Sequence, residues 1–175
     1  DRTIGIETRA LEARVDDGKT TTLRLFDFAG QEEYYVTHSL FLSARALFVV
    51  AFDLSTYADD DAVHDGELSF WLRNIQSKVP GATVLLVGTK ADLVEGGAAA
   101  ADALCAAALR RVRVNEESEC RALAAAVAEI ERDMSGAAES QPALQQRLDR
   151  ARDALQHRLC LPEAVLAVSS ADGLR

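Results

Sequence analysis

Thr83-Val84-Leu85-Leu86-Val87, running directly into Gly88-Thr89-Lys90-Ala91-Asp92, is the stretch on which the fold turns. A short apolar run rich in β-branched residues, without polar alternation, suits a parallel strand covered on both faces. The change to polar residues at Gly88 marks its carboxyl end. Ala46-Leu47-Phe48-Val49-Val50-Ala51-Phe52 repeats the pattern and ends at Asp53, and Ala164-Val165-Leu166-Ala167-Val168 repeats it again. Between the first two runs, Leu68, Trp71, Leu72, Ile75 and Val79 recur with a helical period that Pro80-Gly81 stops. Strands alternating with helices predict an α/β fold with a mixed, mostly parallel sheet and helices on both faces. Ligands of such sheets bind beyond the carboxyl ends of the strands.

Upstream, Thr8 to Val15 and Thr21 to Phe28 read as two strands. Asp16-Asp17-Gly18-Lys19 between them is a hairpin signal, because Gly accepts positive φ without steric cost. Downstream, Gly96 to Leu109 is Ala-rich and interrupted by Gly, and reads as a loop leading into a helix. Leu123, Val127, Ile130 and Met134 form a helical stripe, with Asn115 as N-cap and Gly136 as stop. The Glu116, Glu117 and Glu119 cluster suits the start of that helix through its dipole. Leu144, Leu148, Ala151, Leu155 and Leu159 form a further stripe, starting near Pro142 and ending before Pro162. The last two helices are expected to pair as a hairpin.

The 175 residues carry a net charge of −9, which argues against a nucleic-acid partner or an anionic lipid surface. No apolar run reaches the roughly 18 residues of a membrane span, and no secretory leader is visible. Cys105, Cys120 and Cys160 are too few for a disulfide framework and fit no metal spacing; they read as buried or half-buried thiols in a reducing, cytoplasmic setting. His64 and His157 read as surface residues without partners, and Trp71 as core. With no initial Met and a functional pattern at once, the chain reads as an excerpt of a longer protein.

Four short segments carry chemistry. Asp27-Phe28-Ala29-Gly30-Gln31-Glu32 follows a predicted strand. There a carboxylate can serve Mg²⁺ through water, a Gly lets a backbone N–H approach a γ-phosphate, and a Gln can orient an attacking water. In Gly88-Thr89-Lys90-Ala91-Asp92, Asp92 can accept hydrogen bonds from N1 and N2 of guanine, a donor pair that adenine lacks. The alkyl stem of Lys90 can cover the face of the base while its head stays solvated. In Ser169-Ser170-Ala171, backbone N–H groups can donate to the guanine O6. Thr3 can add a hydroxyl to the Mg²⁺ shell and its N–H to the γ-phosphate. Taken singly, each has a bland alternative: a strand-ending turn, a left-handed turn with a helix cap, a Ser-rich turn, a Thr in a strand. Their order and their placement at strand ends argue together for a guanine-nucleotide site.

With these segments in place the chain resembles the Ras-like GTPases, and within them the Roc (Ras of complex proteins) domains of Roco proteins. Thr3-Ile4-Gly5 resembles switch I. Asp27 to Tyr35 resembles switch II, with Phe28 where small Ras-like proteins usually carry Thr. Thr37-His38, Phe41-Leu42, Arg45-Ala46-Leu47-Phe48, Asp53-Leu54-Ser55 and Trp71-Leu72 with Ile75 are similar to the Roc pattern. Thr89 stands where most Ras-like proteins have Asn, a change common in Roc domains.

The resemblance implies a P-loop NTPase fold and a GTP-binding, Mg²⁺-dependent GTP-hydrolysing switch in a larger signalling protein. Thr3 and Asp27 would serve Mg²⁺, Gly30 the γ-phosphate and Gln31 the attacking water. Thr89, Lys90 and Asp92 would form the guanine loop, with Ser170 and Ala171 closing over the base. Asp172 stands where small GTPases usually have Lys. The implied partners are guanine nucleotide, proteins that read the switch regions, and a COR-type domain that dimerises the parent protein, with membrane attachment only through other domains.

On this reading residues 1–94 hold the switches and the guanine motif, 95–163 are a helical insertion, and 164–175 supply the final strand and base-closing loop. The phosphate-cradling GxxxxGK[ST] occurs nowhere in the chain, so the first strand, that loop and the first helix are expected upstream and the last helix downstream. The fragment by itself is then expected neither to fold stably nor to bind nucleotide. Two other readings compete: a pseudo-GTPase scaffold for protein partners, and an acidic helical interaction module at 96–160 carried on the sheet.

Overall fold

The computed structural model describes residues 6–14, 18–28, 42–57, 62–136 and 142–169. The chain divides into two compact units, Asp1–Ser43 and Ala44–Arg175.

The first unit holds an antiparallel pair, β1 (Ile6–Arg14) and β2 (Thr20–Phe28), in unbroken register from Ile6↔Phe28 to Arg14↔Thr20. Gly18 has φ +71°, the left-handed backbone that a tight reversal requires and that Gly adopts without penalty. The hairpin lies where the Asp-Gly signal put it.

The second unit is built on a parallel sheet of order β3-β4-β5. Its elements are β3 (Leu47–Asp53), α1 (Ala62–Lys78), β4 (Thr83–Thr89), a 3₁₀ turn (Ala91–Leu93), α2 (Gly97–Gly136), α3 (Pro142–Gln156) and β5 (Leu166–Ala167). β3 pairs β4 from Leu47↔Thr83 to Asp53↔Thr89, which brings the carboxyl ends of both strands level. The apolar stripe of α1 behaves as its period predicts: Leu68, Leu72 and Ile75 are buried, as is Val79 just beyond it, while Trp71 is half-buried against Phe70.

β3 departs from the expectation of cover on both faces. Val50 is buried, but Leu47 and Val49 on the opposite face are 60% and 54% exposed. Among the described residues β3 is the edge of its sheet. An all-apolar sequence permits a second covering layer without supplying one.

The helical region also differs. Gly97–Gly136 is one continuous helix of 40 residues, about 60 Å long at 1.5 Å per residue. The stretch read as a loop is its amino-terminal part, because Ala is the strongest helix former. The interrupting glycines, Gly96 and Gly97 at φ +95° and +71°, lie at its mouth. Asn115 is therefore mid-helix rather than an N-cap, and its side-chain amide faces Ser69 Oγ at 3.4 Å. Glu116, Glu117 and Glu119 are likewise mid-helix, and ion pairs rather than a helix dipole account for them. The helix ends at Gly136 and α3 begins at Pro142, both as expected, and α3 packs along α2 with Ile130 and Leu148 buried. Leu159, placed on the stripe of α3, is buried beyond the end of that helix.

β5 is shorter than the apolar run that predicts it. Cys160 bridges Thr83, and Leu166–Ala167 pair with Val87–Gly88, but 161–165 leave the ladder. Pro162 has no N–H to give. Its carbonyl and that of Glu163 accept instead from the Arg113 guanidinium at 3.0 and 3.3 Å. Of the cysteines, Cys105 is buried and Cys120 half-buried, whereas Cys160 is exposed, against expectation. His157 is exposed but not alone: its Nδ1 lies 2.9 Å from Asp153 Oδ1. The side chain of His64 lies outside the described residues.

Candidate functional site

The site is built at the carboxyl end of β4. Lys90 has φ 57° and ψ 38°, the sole left-handed non-glycine among the described residues. A side chain in this region costs roughly 1 kcal/mol or more and persists only where neighbours fix it. Here they do. The Lys90 carbonyl accepts from Leu93 N–H at 3.0 Å, and Ala91 N–H donates to the Val168 carbonyl at 3.1 Å. Val168 N–H in turn donates to the Gly88 carbonyl at 2.8 Å. The Gly88–Asp92 loop is thus stitched to the strand that leads into Ser169.

The end of β3 closes the other side. Leu54 N–H donates to the Thr89 carbonyl, and the Thr89 hydroxyl donates to the Phe52 carbonyl, both at 3.0 Å. The Lys90 ammonium reaches Asp53 Oδ2 at 2.5 Å. Asp53 Oδ1 accepts from the Ser55 N–H at 2.9 Å and the Ser55 hydroxyl at 2.6 Å. Partial burial raises the Asp53 pKa, but the hydrogen bonds from Lys90 and Ser55 and the lysine charge outweigh it, leaving the carboxyl below its ordinary 3.8.

Leu54 explains Gly88. A Cβ on Gly88 would lie 2.7 Å from both Cγ and Cδ1 of Leu54. Leu54 is itself 1% exposed, within a cluster with Ala101 and Cys105. Only a residue without a side chain leaves room at this point for Leu54, just beyond β3, to pack against α2 beneath the loop.

The structure brings Thr89, Lys90 and Asp92 into one turn, with Asp92 exposed in the first turn after Lys90. Asp27 is the penultimate residue of β2, opposite Glu7, in the other unit. Thr3, Gly30, Gln31, Ser170 and Ala171 lie outside the described residues. No group of three or more His, Cys, Asp or Glu that could hold a metal occurs among the described residues. A single carboxylate at a strand end is nonetheless donor chemistry that suits Mg²⁺, which keeps most of its waters and takes phosphate oxygens. No described helix is long and apolar enough to cross a membrane.

The sequence reading gave no role to Asp53, Ser55 or the Leu54–Gly88 contact. An acidic residue exactly opposite Thr89 is visible only once the register is known. Two hollows among the described residues lie elsewhere, between α1, α2, α3 and the segment after α3. One of about 30 Å³ is lined by Leu72, Gln76, Glu116 and Arg158, and an open groove of about 550 Å³ by Gln76, Pro80, Leu123 and Asp153. Arg158 joins this region together, donating to Glu116 and to Glu119, the latter at 2.7 Å.

A parallel sheet with helical crossovers and a left-handed polar loop at its carboxyl edge is consistent with a Ras-like domain of the P-loop NTPase fold, the fold that the family match supports. The family model described as "Ras of Complex, Roc, domain of DAPkinase" matches residues 1–92, more than half of the chain. The chain belongs to the Roc family. It is 39% identical over 82 residues to the probable serine/threonine-protein kinase roco5 of Dictyostelium discoideum, covering 47% of this chain and 3% of that protein. It is 43% identical over 70 residues to leucine-rich repeat serine/threonine-protein kinase 1 of Caenorhabditis elegans, 40% of this chain and 3% of that protein. The chain thus spans a few per cent of the length of these relatives.

Proposed function

We propose that the chain is the guanine-recognising part of a GTP-binding, GTP-hydrolysing switch. The observation that carries the reading is the left-handed Thr89-Lys90-Ala91-Asp92 turn, tied on one side to Asp53 and on the other to Val168. Asp92 accepts from N1 and N2 of guanine, the Lys90 stem lies against the ring, and Ser170 and Ala171 close over O6. Within this reading 1–94 carry the switches and guanine motif, 95–163 are a helical insertion and 164–175 complete the base site.

Hydrolysis would be positioning chemistry. Gln31 orients a water toward the γ-phosphorus, the bond to the β-phosphate oxygen breaks, and GDP and inorganic phosphate leave with the water's proton on phosphate. Gly30 N–H donates to the γ-phosphate. Thr3 and Asp27 would hold Mg²⁺, which when bound supplies neutralisation of phosphate charge. Resemblance to Roco proteins supports a multidomain parent, with protein partners reading the switch segments, a COR-type dimerising domain and a cytoplasmic location.

The test is a titration of the full-length protein that carries this chain with fluorescent GDP, competed by unlabelled GDP and ATP. Displacement by GDP but not ATP, lost in Asp92→Ala, supports the reading. A well-folded protein without saturable binding would leave the scaffold reading standing.

A further inference from the structure

We propose that Asp53 is a positioning residue for the guanine site: its carboxylate fixes the head of Lys90, so that the lysine stem is presented as a ready platform for the face of the base. The proposal rests on the nucleotide reading above and deepens it.

An exposed ion pair alone contributes little, because two mobile side chains must be ordered to make it. Asp53 differs in that it is ordered beforehand. Its Oδ1 is held by two donors from Ser55, and its backbone sits in register with Thr89 at the strand end. Oδ2 is left facing the lysine, which it meets at 2.5 Å. Lys90 is ordered from its own side by the left-handed backbone, which the Leu93 and Ala91 hydrogen bonds hold. A four-carbon stem held at both ends has less rotamer freedom left to lose when a ligand arrives, so a purine resting on it incurs a smaller ordering cost there. The platform touches the ring face and reads none of its edge. Asp53 therefore sets affinity, while Asp92 sets base identity.

The experiment measures GDP and inosine diphosphate affinities of the full-length protein with Asp53→Asn, Lys90→Met and the double substitution, each with a thermal melt. Inosine lacks the N2 amino group but has the same ring face. Asp53→Asn is expected to weaken both ligands by the same factor, about fivefold, leaving their ratio unchanged. In the Lys90→Met background the Asp53 substitution is expected to have no further effect on affinity. Asp53→Glu, which keeps the charge on a longer arm, is expected to fold and to recover part of the loss. Wild-type affinity in Asp53→Asn, a change in the GDP-to-inosine ratio, or an equal loss without Lys90 would each overturn the role while leaving guanine binding intact. Absence of GDP binding by the folded wild type would overturn the nucleotide reading and this role with it.

Discussion

Gly88 and Leu54 occupy each other's space: the hydrogen that Gly88 carries in place of a Cβ is what leaves room for the fully buried Leu54 side chain. Gly88→Ala is therefore expected to destabilise the fold by about 1–3 kcal/mol, the usual cost of overpacking a core. The double substitution Gly88→Ala, Leu54→Ala should cost clearly less than the sum of the singles, because the second opens the space the first needs. Urea unfolding of the four variants, each in the full-length protein that carries this chain, measures the cycle, and strict additivity would contradict the packing account.

The Asp53 carboxyl sits below its ordinary 3.8 because Lys90 and Ser55 together outweigh the effect of burial. A depressed carboxyl contributes stability that is present above its unfolded value and lost as pH falls through the folded one. The Lys90 contact should thus be unaffected from neutral pH down to about 4 and dissolve only in more acid solution. The ¹³C shift of the Asp53 carboxyl reads this directly. Its midpoint should lie below 3.8 and rise in Lys90→Met; a midpoint above 3.8 would contradict the contact.

Arg158 joins the segment after α3 to the middle of α2 through Glu116 and Glu119, with its side chain 16% exposed. Its removal leaves partly buried Glu116 without its counter-charge and Glu119 with Arg73 alone, so Arg158→Ala is expected to cost about 2 kcal/mol. Arg73, which meets the same Glu119 from the exposed side, should change stability by roughly 0.5 kcal/mol or less when truncated. Equal effects in chemical denaturation would contradict this ordering.

Burial pushes the Cys105 thiol up, and the charge of Asp102 adds to it. The thiolate is the reactive form, so Cys105 should be the last cysteine alkylated by iodoacetamide in the native protein and exposed Cys160 the first. Mass-spectrometric mapping of the labelled sites checks the order, which should collapse in denaturant.

What was legible in the sequence was what periodicity and punctuation encode locally. The Asp-Gly hairpin, the α1 stripe ended by Pro80-Gly81, the Gly136 stop and the Pro142 start were all readable because each signal acts within a few residues. The sequence alone divides the 40-residue α2 because Asn115 and the glutamates carry helix-start chemistry in their types, whereas Ser69, Arg73 and Arg158, the partners of Asn115, Glu116 and Glu119, lie far away in sequence. Likewise Thr89, Lys90 and Asp92 were found as a motif, but Asp53 and Leu54 acquired meaning only from the β3–β4 register. The brevity of β5 followed from Pro162 and from the Arg113 contacts, the second of which no local pattern announces.

The central claim is that Asp92 reads the guanine edge. The most direct measurement is the relative affinity of GDP and xanthosine diphosphate for the full-length wild type and for Asp92→Asn. Xanthine carries a carbonyl where guanine carries its N2 amino group, so an amide at this position can donate to it while a carboxylate cannot. Wild type is expected to prefer GDP and Asp92→Asn to prefer xanthosine diphosphate. An unchanged preference for GDP in a folded Asp92→Asn protein would contradict the account.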